Sequence, residues 1–317
     1  MITSKLSLGI DTSNYKTSVA VVDSEGTVLF NSQEFLHVKE GERGLRQSDA
    51  LFQHIQRLPD TIVQALSEEA IRKNIGCVSV SSRPRPVEGS YMPVFTAGTG
   101  AAKMLGASLN VPVYEFSHQE GHIEAVKFYS SLKDTYNPFV CFHFSGGTTE
   151  AIYVDKNIQR FDIVGGSKDL AYGQVIDRIG VSLGYDFPCG EEMDKVALLC
   201  KENYKIFTKV KVKDCFTNLS GIETQGQRAV SLHTKEEIIK DLFDKLAQSI
   251  VEMTIQISDK YKVKDFIFAG GVSSSQYIRQ YLSANLADSI NIVFGEPMMS
   301  QDNAIGTALL GGHNIWL

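Results

Sequence analysis

The sequence is short of the features that mark secreted, disulfide-rich or membrane proteins. Its five cysteines are odd in number and form no C-x-x-C pair, which argues against a disulfide framework and a thiolate zinc knuckle. It has no apolar run near the roughly 18 residues that a membrane-spanning helix needs, and Met1–Gly9 holds no apolar segment of signal-peptide length. We therefore expect a cytoplasmic protein with reduced cysteines and no membrane partner.

An excess of positive charge is also missing. Aspartate and glutamate number 37 against 31 lysines and arginines, so the formal net charge is -6. Binding of nucleic acid by a broadly positive surface is therefore disfavoured, although a local basic patch is hidden in that sum. Lys201–Lys213 carries five lysines against one glutamate, and Arg83 and Arg85 form a second small cluster. Each could meet RNA phosphates, and the alternative for each is a solvated charged face.

What the sequence does contain is an ordinary globular composition: 317 residues, 43% of them hydrophobic, with 26 glycines. This length is enough for two lobes of about 150 residues each. Both halves open with a strand, a small-residue turn and a return strand, at Leu6–Ser13 and Thr17–Val22 and again at Phe139–Phe144 and Glu150–Val154. Such a repeat is typical of a duplicated α/β protein. The predicted domains are residues 1–136 and 137–317.

Apolar periodicity predicts the main helices. A helix is predicted over Leu51–Ala70, and Pro59 should break or kink it. Phe95–Leu109 is predicted to be an alanine- and glycine-rich packed helix, His118–Leu132 a helix, and Lys235–Tyr261 a long amphipathic helix.

Two histidines stand four residues apart on the predicted helix His118–Leu132. The imidazoles of His118 and His122 should project from one face and can hold one metal ion. Glu120 follows His118 by two positions, so this is not the H-E-x-x-H pattern of zinc proteases, and a peptidase would lack its general base. Local sequence alone favours the alternative of two surface histidines near a helix start.

An aspartate near the end of the chain could supply an oxygen ligand. Asp302 sits where a loop gives way to an apolar helix. On local sequence alone Asp302 is better explained as the N-cap of that helix, and both roles are compatible at a helix start.

Small residues recur at three predicted turns: Asp11-Thr12-Ser13, Ser145-Gly146-Gly147 and Gly270-Gly271. They would let the backbone approach a phosphate or ribose, although each turn alone is more often a plain tight turn. The last turn lies between a buried strand and a helix, the arrangement in which a nucleotide commonly sits against backbone. Asp177 and Asp194, with Gly190 between them, could accept hydrogen bonds from ribose hydroxyls, and the alternative is solvent-exposed helix charge.

Six segments carry a resemblance that covers nearly the whole chain: Gly9–Ser13, His118–His122, Phe144–Gly147, Ile176–Gly190, Ala269–Ser273 and Asp302–Asn303. In their order and spacing they together resemble the tRNA threonylcarbamoyladenosine synthase family, whose members were once described as glycoproteases. The resemblance implies an α/β protein with the actin-like ATPase fold of sugar and acetate kinases, in which two ribonuclease-H-like lobes surround a nucleotide cleft. It implies transfer of a threonylcarbamoyl group from threonylcarbamoyl-adenylate to an adenosine next to the anticodon of tRNA.

The resemblance also implies ligands and partners. One divalent metal, iron or zinc, would be held by His118, His122 and Asp302, and residues alone do not choose between the two metals. ATP or an acyl-adenylate would bind in the cleft. Besides tRNA, the implied partners are accessory proteins, among them a shorter paralogue. The residues expected to bind the donor are His143, Phe144, Ser145, Gly146, Gly147, Asp177, Gly190, Asp194, Gly270, Gly271 and Ser275.

The chain departs from the family pattern at four places. Thr148 stands where the family usually has histidine, Ser275 stands where it has asparagine, Cys189 interrupts the usual Pro-Gly-Gly, and Ser82–Pro86 replaces a Gly-Pro-Gly stretch. These departures leave two alternatives open. The chain could be a nucleotide-binding paralogue that acts as a regulatory or scaffold subunit, or a carbamoyl-type transferase with a different acceptor.

Overall fold

The computed structural model describes residues 5–13, 15–38, 45–133, 135, 137–144, 146–155, 161–295 and 304–316. The chain divides into two units, one formed by Met1–Tyr129 with Met298–Leu317 and the other by Ser130–Pro297. The predicted boundary was at residue 136, seven residues after the division between Tyr129 and Ser130. The predicted assignment of the chain end to the second lobe differs from the structure, which places the last segment in the first unit.

The first unit is built on a five-stranded sheet in the order β3-β2-β1-β4-β5. Its central pair is antiparallel, with Ser7 opposite Val22, and β1 runs parallel to β4. β1 and β2 are buried over their whole length, and burial of their apolar residues stabilises the sheet. The strands are β1 (Leu6–Thr12), β2 (Lys16–Val22), β3 (Val28–Phe35), β4 (Ile75–Arg83) and β5 (Val113–Ser117).

Four helices of the first unit come before the second unit in the chain. They are α1 (Gln47–Ala65), α2 (Glu69–Asn74), α3 (Phe95–Leu109) and α4 (His118–Phe128). The predicted break at Pro59 is wrong, because α1 continues through it. The buried residues of α1, which include Leu58 and Ala65, recur at helical spacing, and packing of such a face stabilises a helix more than local propensity does.

The second unit is built on a six-stranded sheet in the order β11-β10-β6-β7-β8-β9. Five of its strands repeat the arrangement of the first sheet, because the sequence β8-β7-β6-β10-β11 has the same directions as β3-β2-β1-β4-β5. The predicted duplication is therefore present in the topology. The strands are β6 (Phe139–Phe144), β7 (Thr149–Val154), β8 (Phe161–Ser167), β9 (Phe216–Thr217), β10 (Asp265–Ala269) and β11 (Asn291–Phe294).

Five helices cover this second sheet. They are α5 (Tyr172–Ser182), α6 (Gly190–Leu199), α7 (Ser220–Ala229), α8 (Lys235–Tyr261) and α9 (Gln276–Asn285), with a short 3-10 helix at Gly271–Ser274. α8 begins and ends where the periodicity predicts. Its N-terminus is fixed by a capping box, in which the Thr234 side chain accepts from the backbone of Glu237 and the Glu237 carboxylate accepts from the backbone of Thr234.

The last helix, α10 (Ile305–Gly312), is buried on all sides within the first unit. Its Ala308 carbonyl accepts a hydrogen bond from Ser7 Oγ at 2.6 Å. A Cβ atom added at Gly306 would lie 1.8 Å from the carbonyl oxygen of Gly121, so α10 and α4 approach closely only because these positions lack side chains. A helix this apolar needs a core to cover it, and in the first unit it contacts β1 and α4. No helix within the described ranges combines the length and apolar character needed to span a membrane.

Candidate functional site

Two histidine side chains and a carboxylate converge where β1 ends and α4 begins. The Nε2 atoms of His118 and His122 lie 3.0 Å apart, and His118 Nδ1 lies 2.7 Å from Asp11 Oδ2. The alternative of two surface histidines does not describe His122, which is only 6% exposed. Helical spacing therefore brings the two imidazoles together as predicted, whereas the partnership with Asp11 joins residues 107 positions apart and has no signal in local sequence.

The Asp11 carboxylate determines which nitrogen of His118 carries the proton. A carboxylate accepts hydrogen bonds, so the Nδ1–H of His118 donates to it and Nε2 is left with the lone pair that a metal ion could bind. Two imidazole nitrogens bound to one tetrahedral zinc lie about 3.3 Å apart. The two Nε2 atoms are 3.0 Å apart, the distance of an N–H···N hydrogen bond between the rings, and this separation is close enough to the zinc value for the histidine pair to fit a borderline divalent cation.

The third predicted metal ligand, Asp302, lies outside the described residues, as does Ser145 of the predicted donor-binding set. Within the described part of the chain, no group of three His, Cys, Asp or Glu side chains is arranged to hold a metal ion. Of the three predicted metal ligands, the structure therefore describes only His118 and His122.

The remaining residues of the H-Q-E-G-H motif have structural roles. Glu120 closes a capping box with Ser117: its backbone N–H donates to Ser117 Oγ at 3.1 Å, and its carboxylate accepts from the Ser117 N–H at 2.6 Å. Gly121 leaves room for α10, because a Cβ added there would lie 2.6 Å from Thr307 Oγ1. Glu120 thus fixes the start of α4, and Gly121 fixes its distance from α10.

A buried histidine supports the turn that follows β1. Asp11 Oδ1 accepts from the Ser13 N–H at 3.0 Å, and the Ser13 carbonyl accepts from His54 Nε2 at 2.8 Å. Burial lowers the pKa of His54, although the hydrogen bond to Ser13 opposes that shift. The imidazole is therefore neutral near pH 7, and its Nδ1 accepts from the Thr17 hydroxyl at 2.8 Å. Sequence reasoning missed His54, because nothing in α1 distinguishes it from other residues of the buried face.

In the second unit, the two predicted glycine turns meet at one edge of the sheet. β6 and β10 are neighbouring parallel strands with His143 opposite Ala269, so their carboxyl ends lie side by side. Gly270 has φ +90°, and a Cβ there would lie 2.2 Å from the Phe144 carbonyl oxygen. Gly146, Gly147 and Gly271 are exposed beyond these strand ends, where their backbone is accessible to a ligand.

The Asp194 carboxylate accepts hydrogen bonds from within the protein. Its carboxylate accepts from the backbone N–H groups of Gln276 at 2.9 Å and Tyr277 at 3.1 Å, and from Ser275 Oγ. The alternative of solvent-exposed helix charge does not describe it, since Asp194 is 8% exposed. Ser275, one of the departures from the family pattern, is itself the N-cap of α9 and accepts from the Ile278 N–H at 3.1 Å. Asp194 and Ser275 therefore hold the start of α9 beside the glycine turns.

Asp177 lies close to Gly190 because it contacts the residue before it, Cys189. Asp177 Oδ1 accepts from the Cys189 N–H at 2.8 Å. Burial raises the pKa of Asp177, and this hydrogen bond partly opposes the shift. Burial and nearby carboxylates, Asp177 first among them, raise the pKa of the Cys189 thiol to about 11, so it is a neutral packing group at pH 7. It fits against α5 because Gly180 has no side chain there.

The chain is similar to known proteins over nearly its whole length. The family model "tRNA N6-adenosine threonylcarbamoyltransferase" (TsaD) matches residues 28–309. A protein of that name from Clostridium kluyveri is 31% identical over 95% of this chain and 90% of its own length.

Solved structures are similar in fold at much lower identity. Component A of (R)-2-hydroxyglutaryl-CoA dehydratase from Acidaminococcus fermentans has a TM-score of 0.61 and 14% identity, covering 99% of this chain and all of that one. A ROK family glucokinase from Streptomyces griseus has a TM-score of 0.52 and 13% identity, covering 96% of this chain and 98% of that one. At these identities the likeness is one of fold, and the fold is the predicted actin-like ATPase type with two duplicated sheets.

Proposed function

The chain belongs to the tRNA N6-adenosine threonylcarbamoyltransferase family, and on this basis we propose that it transfers a threonylcarbamoyl group from threonylcarbamoyl-adenylate to an adenosine next to the anticodon of tRNA. The observation that carries the proposal is the His118–His122 pair, because its two Nε2 atoms converge at 3.0 Å and Asp11 orients the first of them. The protein would act in the cytoplasm with accessory proteins.

We propose that His118, His122 and Asp302 hold one divalent ion, iron or zinc. When bound, such an ion supplies Lewis acidity to the carbamoyl carbonyl group. The placement of α10 supports Asp302 as the third ligand. This helix begins three residues after Asp302, and it packs on Gly121, which lies between His118 and His122 in the sequence. Asp11 keeps the Nδ1 proton on His118 and so keeps Nε2 in its ligating form.

The donor would bind to the carboxyl edge of the second sheet. The exposed turns at Gly146, Gly147 and Gly271 can offer backbone N–H groups to the adenylate phosphate, and Asp177 beside Gly190 can accept from a ribose hydroxyl. Because both carboxylate oxygens of Asp194 accept from Ser275–Tyr277, we assign it a positioning role through the start of α9.

The reaction requires little proton transfer by the protein. The N6 amino group of adenosine attacks the carbamoyl carbon, the bond from that carbon to the phosphate oxygen breaks, and AMP leaves with the electron pair. The amino group loses one proton to solvent. Since AMP is a good leaving group, the residues at the glycine turns need only hold the phosphate while negative charge builds on it.

The test is transfer to tRNA from a strain that lacks the modification, with threonylcarbamoyl-adenylate, metal and accessory proteins present. Nucleosides are digested and quantified by mass spectrometry. We expect the modified nucleoside with the unsubstituted chain and none with His118→Ala. Absence of product from the unsubstituted chain would refute the proposed function and leave a nucleotide-binding paralogue as the alternative.

A further inference from the structure

The lysine-rich segment of the second unit has a regular structure. We call Lys201–Lys213 the lysine strip. From Lys209 to Lys213 exposed lysines alternate with buried valines, Val210 at 5% and Val212 at 8% exposure. Alternation with period two places side chains on opposite faces of an extended chain, so Lys209, Lys211 and Lys213 point to the same side.

The strip is held in place although it contains no helix and no strand beyond a single bridge. The buried carboxylate of Asp241 on α8 accepts from the backbone N–H groups of Ile206 and Phe207, both at 2.7 Å. Further along, the Gln256 side-chain amide donates to the Val212 carbonyl at 3.2 Å. Because the backbone of the strip is hydrogen-bonded to α8, its exposed side chains are held in a fixed row.

On the outer face of the strip, three of the lysines have no acidic partner among the described residues. Lys209 pairs with Glu252 at 2.6 Å, but no acidic side chain in the described part of the chain is within ion-pair distance of Lys205, Lys211 or Lys213. An exposed lysine outside the strip, Lys168, adds to this charge, its Nζ lying 5.0 Å from the centre of the Phe216 ring beside Lys213.

We propose that the lysine strip binds the phosphate backbone of the RNA that this chain modifies; the inference rests on the proposed function. Lysines two positions apart on extended backbone are about 6.6 Å apart, a spacing comparable with that of successive phosphates along a polynucleotide strand. The exposed side chains from Thr208 to Asp214 are all polar or charged, whereas the centre of a protein–protein interface is usually apolar. Lysines suit phosphate as point charges.

The position of the strip in the second unit is consistent with this role. α6 begins at Gly190, beside Asp177, and ends at Leu199, immediately before the strip. A helix of ten residues is about 15 Å long, so the start of the strip, at Lys201, lies within about one short helix length of the proposed donor site, and the strip then runs along α8 from Asp241 to Gln256.

The experiment compares two triple variants of the full chain with the same change in charge. The test variant carries Lys205→Gln, Lys211→Gln and Lys213→Gln. The control carries Lys73→Gln, Lys103→Gln and Lys195→Gln, three exposed lysines in ion pairs elsewhere. Kd for substrate tRNA is measured by filter binding at several salt concentrations, with circular dichroism to confirm that each variant is folded.

We expect the test variant to bind tRNA about tenfold more weakly and its log–log salt slope to fall by about 3, one for each lysine that no longer neutralises a phosphate. The control should stay within about twofold of the unsubstituted chain. Equal tRNA affinity in the test variant and the control overturns the inference. The inference is also overturned if the test variant keeps its tRNA affinity and loses affinity only for polyglutamate, measured in the same way, since that result would indicate an acidic protein partner.

Failure of the inference can be told from failure of the proposed function. If the unsubstituted chain forms the modified nucleoside and the test variant keeps its tRNA affinity, only the lysine strip is excluded. If the unsubstituted chain forms no modified nucleoside, the proposed function itself is refuted, whatever the variants bind.

Discussion

Asp11 Oδ2 lies 2.7 Å from Nδ1 of His118, which joins the end of β1 to the first residue of α4. The carboxylate is only 1% exposed, so this contact is made in an environment where an unpaired charge would be costly. Asp11 also accepts from the Ser13 N–H, and His54 holds the Ser13 carbonyl. The proposed metal ligand His118 is therefore oriented by a chain of hydrogen bonds that begins in α1.

Replacing Asp11 by Asn should weaken metal binding. The amide is neutral, so it accepts less strongly from His118 and no longer raises the basicity of Nε2. We expect about a tenfold to hundredfold loss in affinity for zinc or ferrous ion, measured by competition with a chelator. Asp60→Asn, at an exposed position on α1, is the matched control. An affinity unchanged from that of the control would contradict the role given to Asp11.

His122→Ala should remove bound metal and also cost stability. The side chain is 6% exposed, so truncation leaves a cavity, and we expect unfolding free energy to fall by about 2 kcal/mol. Elemental analysis measures the metal, and urea unfolding in the presence of chelator measures the stability without it. Full metal content in His122→Ala would disprove the ligand assignment.

Gly121→Ala should destabilise the protein, because the added methyl group would lie 2.6 Å from Thr307 Oγ1 and push α10 away from α4. We expect a loss of about 1–3 kcal/mol. Gly100→Ala is a matched control: it lies in the interior of α3 with nothing within 4 Å of its added Cβ, and it should stabilise by up to about 1 kcal/mol. Thermal unfolding of both variants checks the pair, and equal melting temperatures would rule out close packing at Gly121.

Asp194→Ala should loosen the start of α9, because it removes the acceptor for the Gln276 and Tyr277 N–H groups. A lost N-terminal cap with partly buried donors costs about 1–2 kcal/mol. Urea unfolding gives the size of the effect, with Glu191→Ala, an exposed carboxylate in the same helix, as control. If hydrogen exchange of the α9 amides were as slow as in the unsubstituted chain, Asp194 would not be acting as a cap.

Asp169 should make stability depend on pH in the acid range. Burial acts to raise its pKa, but backbone N–H groups of Leu219, Ser220 and Leu170 outweigh it and lower the pKa to about 2. An unfolded aspartate titrates near 3.9. The contribution is therefore complete above about pH 4 and is lost as pH falls toward 2.

We expect Asp169→Asn to cost about 1 kcal/mol at pH 7, a figure reduced for the exposure of the side chain. The difference from the unsubstituted chain should shrink between pH 4 and pH 2 in urea unfolding. A difference that stays constant over this range would show that the charge on Asp169 does not contribute.

Local patterns in the sequence predicted the elements that local interactions stabilise. α3 and α8 agree with their predicted bounds because their apolar periodicity is clear, and a capping box marks the start of α8. The break predicted as one possibility at Pro59 does not occur, because the buried face of α1 outweighs the missing backbone hydrogen bond. Helical spacing alone was sufficient to pair His118 with His122.

Tertiary structure decided everything that depends on residues far apart in the chain. The contact of Asp11 with His118 spans 107 positions, and that of Asp194 with the start of α9 spans 82 or more. The same holds for α10, which the sequence placed in the second lobe and which packs on α4 in the first unit. Periodicity and capping report interactions within a few residues, so the sequence determined the bounds of α3 and α8 and the pairing of the two histidines. Packing between elements determined what each of those side chains meets.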